Sequence, residues 1–340
     1  MVSSVLLSAG FSAPRTARRP RGLLASLLGI VPGPVPPHVF EVDATVLRYA
    51  GFARRGGSLE LERYASAELP AEIFQPGPLG GPLRGRESFD RALEEVLGLA
   101  HRRDKQAIEG SLVLPDRWLR LLFTELEPEL GLKPADEVLR FKLKRLVPFR
   151  VDELRLRASV VPSFPGQEGW RLLYAFGVEQ LLRDLEIAFE SRGIRIGQIA
   201  SRTLYLVSLL RESERRSVLV VNLEVDGYSL GYVADSVPYV FRYRAASADL
   251  ADAGQTAQVA QDLRILLGFI GEHMPQHGIE EALVCGAPES AEPWVDLLRE
   301  RFELPSRLIE ARDLPAALPG GQVAWHHAAP LVAAATRDVA

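Results

Sequence analysis

The chain has 340 residues, of which 47% are hydrophobic and 25% charged, the balance of a soluble protein with a sizeable core. This length favours two domains or one two-lobed unit, and the single cysteine, Cys285, excludes an internal disulfide bond and any zinc site with several thiolates. The net charge is −4, but residues 1–37 contain four arginines and no acid, so the 40 basic and 44 acidic residues of the whole chain become 36 and 44 after residue 37. This acidic body, with a net charge of −8, argues against nucleic acid as a partner.

Residues 1–37 form a basic, proline-rich segment that we predict to be a disordered tail. Arg18, Arg19 and Arg21 precede an apolar run at 22–31, and four prolines follow that run. Three interpretations stay open: an export signal, a segment that touches an anionic membrane surface, or a tail outside the fold. The chain contains no run of 18 apolar residues, so no membrane-spanning helix is predicted.

In the first half of the chain, runs of β-branched and aromatic residues predict strands, and apolar residues at helical spacing predict helices. Strands are expected at 39–43, 45–52, 58–67 and 107–114, and a helix at 88–101. Two helices at 119–130 and 134–146 follow, and then a strand pair at 154–162 and 170–178. A helix at 179–192, a strand at 194–201 and a helix at 205–210 complete this half.

The second half repeats the pattern of a strand hairpin, another strand and a helix. Strands are expected at 218–222, 228–234, 237–243, 282–285 and 306–309, and helices at 257–273, 294–301 and 324–337. The block from residue 110 to about 178 interrupts the first copy of the repeat. This order predicts an α/β fold of the actin-like, ribonuclease H-like type, with two lobes and a small α+β domain inserted in the first.

The predicted domain boundaries follow from this repeat. Residues 1–37 are the tail, 38–112 and 179–215 form the first actin-like lobe, 113–178 form the inserted small domain, and 216–340 form the second actin-like lobe.

The segment Lys144–Leu154, with the sequence KRLVPFRVDEL, resembles a segment of the PilM family, in which Pro-Phe is followed by an acidic pair. These are actin-like proteins of type IV pilus assembly, related to FtsA and to the cytoplasmic part of GspL. Residues 112–115 resemble the family's strand into the inserted domain, 180–196 its following helix and exit, and 328–335 its small-residue terminal helix. The resemblance spans residues 38 to 340.

The resemblance implies one phosphate-binding turn in each lobe, and both turns depart from the family's pattern. The first turn corresponds to residues 41–48, where Asp43 stands at the family's glycine, and the second to 222–226, where Glu224 does. Asn222 replaces the acid of the second turn, and Gly286-Ala287 stands at a glycine pair near the adenosine. The degenerate nucleotide-binding positions are therefore Glu41, Asp43, Thr45, Arg48, Asn222, Glu224, Asp226 and Gly286.

Physical chemistry makes these replacements unfavourable for ATP. Phosphate-binding turns use glycine because a backbone N–H must approach the anion closely. Asp43 and Glu224 each add a side chain and a negative charge, and two like charges 4 Å apart repel by about 4 kcal/mol at an effective dielectric constant of 20. We therefore predict no bound cofactor, no metal and no catalytic residue, that is, a pseudo-ATPase.

Two alternatives to this prediction stay open. Carboxylates bind magnesium, so an active ATPase that binds ATP and Mg²⁺ is one alternative, and a sugar-kinase-like enzyme is another, although no base can be assigned to it. Asp43 also suits an ordinary turn, and Asp226-Gly227 an ordinary hairpin. No H-E-x-x-H, Walker A or G-x-G-x-x-G motif supports a different enzyme.

The resemblance implies a cytoplasmic scaffold, peripheral to the inner membrane, of a type IV pilus or type II secretion-like assembly machine. In the PilM family such a protein binds the cytoplasmic tail of the inner-membrane protein PilN in a groove near the inserted domain, and it contacts other assembly subunits. Self-association stays open. The sequence also contains a basic face that is either solvated or docks an acidic partner segment, formed by Arg140, Lys142, Lys144, Arg145 and Arg150.

Overall fold

The structure is a computed structural model that describes residues 37–55, 58–99, 108–126, 136–209, 217–235, 237–317 and 323–336. Its strands are β1 His38–Val42, β2 Val46–Arg55, β3 Ser58–Glu68, β4 Ile108–Leu114, β5 Arg120–Leu126, β6 Leu154–Pro162, β7 Trp170–Val178, β8 Ile194–Ser201, β9 Ser217–Glu224, β10 Gly227–Ala234, β11 Val237–Arg244, β12 Glu281–Cys285, β13 Ser306–Leu308 and β14 Ala316–Ala317. Its α-helices are α1 Arg86–Leu99, α2 Asp136–Lys144, α3 Glu179–Glu190, α4 Arg202–Leu209, α5 Ala253–His273, α6 Pro288–Phe302 and α7 Trp325–Ala335. Of the predicted tail, residues 1–36 lie outside the described residues.

Two mixed sheets repeat one arrangement of strands. The first has the order β14-β3-β2-β1-β4-β8 and the second the order β11-β10-β9-β12-β13. In each, three antiparallel strands are followed by two that run parallel to the first of them. Buried parallel strands are apolar on both faces, and β9 accordingly is buried at all of its positions. The repeat predicted from the sequence is present in the described sheets.

Two helices at the centre connect the two sheets. Helix α4 follows β8 of the first sheet but packs against β9 and β10 of the second, whereas α7, near the end of the chain, packs against β1 and β4 of the first. The two helices also pack against each other. The inward residues of α7 are mostly alanines, which allow this close approach. One apolar core therefore contains residues of both sheets, for example Val39 and Val220.

A third sheet, with the order β5-β7-β6, is antiparallel and is formed only by residues 120–178. Alternate residues of β7 point to opposite faces, as strand geometry requires. Tyr174 belongs to the core beneath α2, whose Leu139 and Leu143 are buried, while Leu173 belongs to the central core that includes the second sheet. The sheet thus lies between α2 and the second lobe. The domain boundaries given above remain predictions.

One predicted helix is wrong. Residues 119–130 were predicted as a helix, but Arg120–Leu126 form strand β5, paired with β7 along its whole length, and 127–130 lie outside the described residues. The run is apolar on both sides because Leu121 and Phe123 contact the central core while Leu122 contacts the core under α2. A short strand apolar on both faces has no period that distinguishes it from a helix.

Two helices begin earlier than the apolar pattern predicted. Helix α5 begins at Ala253 because the Asp252 side chain caps it, accepting a hydrogen bond of 2.7 Å from the Gln255 N–H. Helix α6 begins at Pro288, and proline is favoured in the first turn of a helix.

Candidate functional site

The predicted first turn lies between β1 and β2, as residues 43–45. Its own hydrogen bonds use the backbone N–H groups that an anion would need. The Asp43 N–H donates to the Val46 carbonyl oxygen at 2.9 Å, and the Ala44 N–H donates to Asp43 Oδ1 at 2.6 Å. Thr45 is exposed, and its carbonyl oxygen accepts from Leu69. The turn is thus closed by its own carboxylate.

Just before this turn, Glu41 is fully buried between two arginines. Arg202 Nη1 lies 2.6 Å from Glu41 Oε1, and Arg48 Nη1 lies 3.0 Å from Glu41 Oε2. Arg202 is only 7% exposed and also donates to the His326 carbonyl oxygen at 3.2 Å. Burial lowers the pKa of Arg202, but Glu41 and nearby acids outweigh it and hold that pKa above its usual range. The chain's own cations therefore neutralise the acid at the position where the family has its first aspartate.

The second predicted turn consists of Val225 and Asp226, because β9 extends to Glu224 and β10 begins at Gly227. Asp226 forms an ion pair with Arg117, whose guanidinium also donates to the Gly77 carbonyl oxygen at 3.1 Å. A side chain at Gly227 would collide with Tyr243 and lie 2.5 Å from the Arg244 carbonyl oxygen. This glycine therefore permits the close approach of β11, which supports the interpretation of Asp226-Gly227 as a structural hairpin turn.

Four buried polar residues join the two lobes beside this turn. The Asp116 N–H donates to Glu224 Oε1 at 2.9 Å. Asn222 Nδ2 lies 3.0 Å from Asp116 Oδ2 and 3.2 Å from Glu224 Oε1. The backbone N–H and the hydroxyl of Thr203 both donate to the Asp116 carboxylate. Asp116 follows β4, Thr203 lies in α4, and the other two lie in β9, so the network links the halves of the molecule.

The electrostatics of this network disfavour further negative charge. Burial, followed by the neighbouring Asp116 carboxylate, raises the pKa of Glu224 well above its usual range, although Arg202 lowers it in part. Burial also raises the pKa of Asp43. Glu224 Oε2 and Asn222 Oδ1 are buried without a hydrogen-bond partner among the described residues. An incoming phosphate would meet carboxylates that are already costly to ionise.

The glycine at the predicted adenosine contact packs closely against a neighbouring side chain. Gly286 follows β12, and a Cβ placed on it would lie 3.0 Å from the Leu223 side chain. The cavity that borders Asp116 and Thr203 has a volume of 20 Å³, enough for about one water molecule. Sites for drug-sized ligands usually have volumes of about 300–1,000 Å³.

No protein-family model matches the chain, and no curated protein matches its sequence. Among solved structures, a chain of the PilM-PilN type IV pilus biogenesis complex matches 89% of this chain and 97% of its own length, with 16% identity and a TM-score of 0.67. The chain has the actin-like fold. The fold class predicted from the sequence is confirmed, and the predicted likeness to a PilM protein is present at the level of the fold.

Two further structures match with lower scores. A protein of unknown function with an actin-like ATPase fold from Bacteroides thetaiotaomicron matches 80% of this chain and 90% of its own, with 9% identity and a TM-score of 0.49. The cytoplasmic domain of EpsL, an inner-membrane component of the type II secretion system of Vibrio cholerae, matches 88% and 95%, with 11% identity and a TM-score of 0.46.

The actin-like fold brings the two predicted turns to one cleft, where Asp43 contributes to the raised pKa of Glu224. Three residues that connect the turns were not predicted from the sequence: Asp116, Arg202 and Thr203. A signal was present for two of them. Asp116 lies two residues beyond the end of a buried parallel strand, the usual place for a site in such sheets, and Arg202 is a lone charge before the apolar run of α4.

Neither a metal site nor a membrane span is found among the residues that the structure describes. No cluster of three or more histidine, cysteine, aspartate or glutamate residues there has an arrangement that could bind a metal ion. None of the described helices has the length and apolarity needed to cross a bilayer. The His326 and His327 rings lie 4.1 Å apart at the start of α7. Burial lowers the pKa of both, that of His327 to about 4.

A groove separates the inserted sheet from the first sheet. Its volume is 190 Å³, and it is lined by residues of β6, β7, α3 and β8. Among the described strands, β6 pairs only with β7 and β8 only with β4, so each presents an unpaired edge. Gly197 is a bulge in β8, because Gly110 pairs with Ile196 and Ser111 with Gln198. The Gln198 Nε2 atom is buried and has no partner among described residues.

Proposed function

We propose that the protein is a scaffold of a type IV pilus or type II secretion-like assembly machine, cytoplasmic and peripheral to the inner membrane, that does not hydrolyse ATP. The observation that supports the absence of ATP hydrolysis is the buried contact of Glu41 with Arg202 and Arg48. The match to nearly the whole length of a chain of the PilM-PilN complex supports the scaffold role.

Two guanidinium groups take the role that a metal ion would have at Glu41. A guanidinium is permanently charged and is covalently fixed in the protein, so binding of a metal ion would require its displacement. Displacement would leave a buried charge without its partner, which costs about 3–5 kcal/mol. The self-bonded first turn and the raised pKa of Asp43 and Glu224 add to this cost.

An active ATPase is the alternative, and one observation favours it. Four carboxylates, those of Glu41, Asp43, Asp116 and Glu224, lie at the cleft between the lobes, and carboxylate oxygens are ligands that Mg²⁺ accepts. Binding of magnesium together with ATP would therefore have to rearrange the hydrogen bonds described above.

Thermal unfolding in the presence of nucleotide separates these functions. We expect the midpoint of unfolding to be the same with and without millimolar ATP and Mg²⁺, because the site is closed by its own ion pairs. A ligand present at one hundred times its dissociation constant would stabilise the folded state by about 2.7 kcal/mol and raise the midpoint. ATP without magnesium serves as the control, and a rise that appears only with magnesium would support the ATPase.

The groove between β6 and β8 is the site that we propose for the cytoplasmic tail of a PilN-like inner-membrane protein. An extended peptide binds readily to an unpaired strand edge, since its backbone continues the sheet. Two such edges line this groove. Ion pairs join β6 to α3 beside the groove, because Arg155 bonds to Glu179 at 2.8 Å and to Glu186 at 2.5 Å.

Replacing Gly197 with phenylalanine tests this placement. A Cβ at Gly197 would have no heavy atom within 4 Å, so we expect the variant to fold and its ring to occupy the groove. Its affinity for a synthetic peptide of a PilN-like cytoplasmic tail should fall by about tenfold or more, a loss of about 1.4 kcal/mol. The matched control is Gly268→Phe on α5, which also has open space. Equal affinity for both variants, measured by fluorescence anisotropy, would place the tail elsewhere.

A further inference from the structure

Helix α2 exposes a large apolar side chain on the face opposite its core contacts. Leu139 and Leu143 are buried against the inserted sheet, whereas Phe141 is 65% exposed. Successive residues of a helix are about 100° apart, so Phe141 lies about 200° from Leu139 and points away from the sheet. Packing within the described chain therefore does not account for a phenyl ring here. Leu146, just beyond the helix, is 48% exposed as well.

Two cations follow this ring. Lys144, the last residue of α2, comes three residues after Phe141, a spacing that places both on the same helix face. Arg145 is the next residue and begins the turn that ends the helix. Both are exposed, and neither forms an ion pair with a described residue.

The other three members of the basic face predicted from the sequence have local partners. Arg140 donates to the carbonyl oxygens of Val151 at 3.0 Å and Leu154 at 3.1 Å. Lys142 lies 3.4 Å from the Glu125 carbonyl oxygen, and Arg150 lies 2.7 Å from Glu153. The outward-facing set is thus limited to Phe141, Lys144, Arg145 and Leu146, which we call the α2 face.

We propose that the α2 face binds an acidic segment with apolar side chains from a second protein of the assembly. Its two cations complement carboxylates, and its two apolar side chains would be removed from water by the partner's own. None of its residues lines the groove between β6 and β8, so a partner could occupy each surface at once. A scaffold needs two such surfaces to connect two partners, but this inference does not depend on what the groove binds.

The surrounding charges favour a narrow peptide over a flat membrane. Asp136 and Glu137 at the start of α2 are exposed, as are Asp152 and Glu153 after it. An anionic bilayer would meet these acids together with the cations, whereas a single segment can contact Lys144 and Arg145 alone. The chain beyond residue 37 is acidic overall, which would add to repulsion from such a bilayer.

The test measures, by fluorescence anisotropy, the binding of a labelled amphipathic peptide of glutamate and leucine, about 18 residues or five helical turns long. It compares the wild-type chain with a triple variant of the α2 face and with a double control variant on α5. The wild-type chain should bind this peptide and not its glutamine counterpart, and added salt should weaken binding. Phe141→Ser with Lys144→Glu and Arg145→Glu should weaken binding by about tenfold or more. The control, Ile265→Ser with Arg264→Glu on α5, changes an apolar and basic pair of similar exposure and should bind like wild type.

Several outcomes would overturn the proposal. These are no binding of the glutamate peptide, or equal binding by the wild-type chain and the triple variant. Association with vesicles of anionic lipid that only the triple variant loses would assign the face to a membrane instead. A dimer in sedimentation that only the triple variant loses would assign it to a second copy of the chain. If the triple variant unfolds at a lower temperature, Lys144→Gln with Arg145→Gln, which leaves the ring in place, repeats the comparison.

Discussion

Replacing Arg202 with methionine is expected to lower the free energy of unfolding by about 3–5 kcal/mol, the usual cost of removing one partner of a buried ion pair. Glu41 is fully buried, and Arg202 supplies its shorter contact, at 2.6 Å. Methionine keeps much of the volume of the side chain, so the loss would report the unpaired charge. Urea denaturation of the purified chain measures this difference.

Two control variants identify the origin of the loss. Arg48→Met removes the longer contact, at 3.0 Å, from a side chain that is 11% exposed, and it should cost less than Arg202→Met. The double variant Glu41→Leu with Arg202→Met removes the buried pair and leaves Arg48, whose side chain is 11% exposed. It should be more stable than Arg202→Met alone, since replacing a buried pair with apolar residues is often neutral. If the double variant is the less stable of the two, Arg202 acts through packing and not through its charge.

The second expected result is a gain of stability. Replacing Glu224 with glutamine should raise the free energy of unfolding at neutral pH by about 1–3 kcal/mol, the range for relieving an unsatisfied buried polar group. Burial and Asp116 raise the pKa of Glu224 in the folded chain, and its Oε2 atom has no partner among described residues. Glutamine keeps an oxygen that can accept the Asp116 N–H, and its amide group has the unpartnered Asn222 Oδ1 as an acceptor in the same cluster.

The pH dependence gives the sign of this effect. An unfolded glutamate titrates near pH 4.3, so below about that pH the carboxyl is protonated in both states and the stability that its neutral form provides is fully present. As pH rises through the window up to the raised folded pKa, the unfolded chain releases its proton first, and this stability is lost. The advantage of glutamine should therefore be small near pH 4 and grow with pH.

Glu179→Gln is the matched control for this profile. Arg155 holds the pKa of Glu179 below its usual range through hydrogen bonds, so Glu179 contributes stability above its unfolded pKa and loses it as pH falls. Its replacement should give a small change of the opposite sign, because the side chain is 45% exposed. A Glu224→Gln variant that is less stable than wild type at pH 7 would mean that the folded site holds Glu224 ionised.

The sequence predicted most of the fold because its signals are local. Strands β6 and β7 were predicted with the bounds that the structure has, since each is bordered by a turn or a helix start. The helix predicted over β5 is wrong because both faces of that strand contact apolar cores, and the two cores differ. The pairing of β5 with β7 decides its structure, and the paired residues lie 44 to 56 positions apart in the chain, beyond what periodicity records.

The sequence predicted the two turns of the candidate site but not the distant residues that bond to the acids beside them. The resemblance placed Glu41 just before the first turn and Glu224 within the second, whereas in the structure Glu41 is the last residue but one of β1 and Glu224 is the last residue of β9. Their partners are distant in sequence: Arg202 is 161 residues from Glu41, and Asp116 is 108 from Glu224. Hydrophobic patterns do not encode such pairs, because a charged residue that pairs with a partner in the interior is the same residue type as one on the surface.

The position of α7 has a consequence for how the protein is made. This helix covers β1 and β4, and β14 adds the last strand to the first sheet, so residues 316–335 complete a lobe whose first strand begins at residue 38. A ribosome releases the N-terminal strands long before these residues, and domains otherwise tend to fold as soon as they emerge. The first lobe therefore keeps the apolar side of its sheet uncovered until residues 316–335 have been translated. Removal of these residues should leave that side exposed in the finished chain as well.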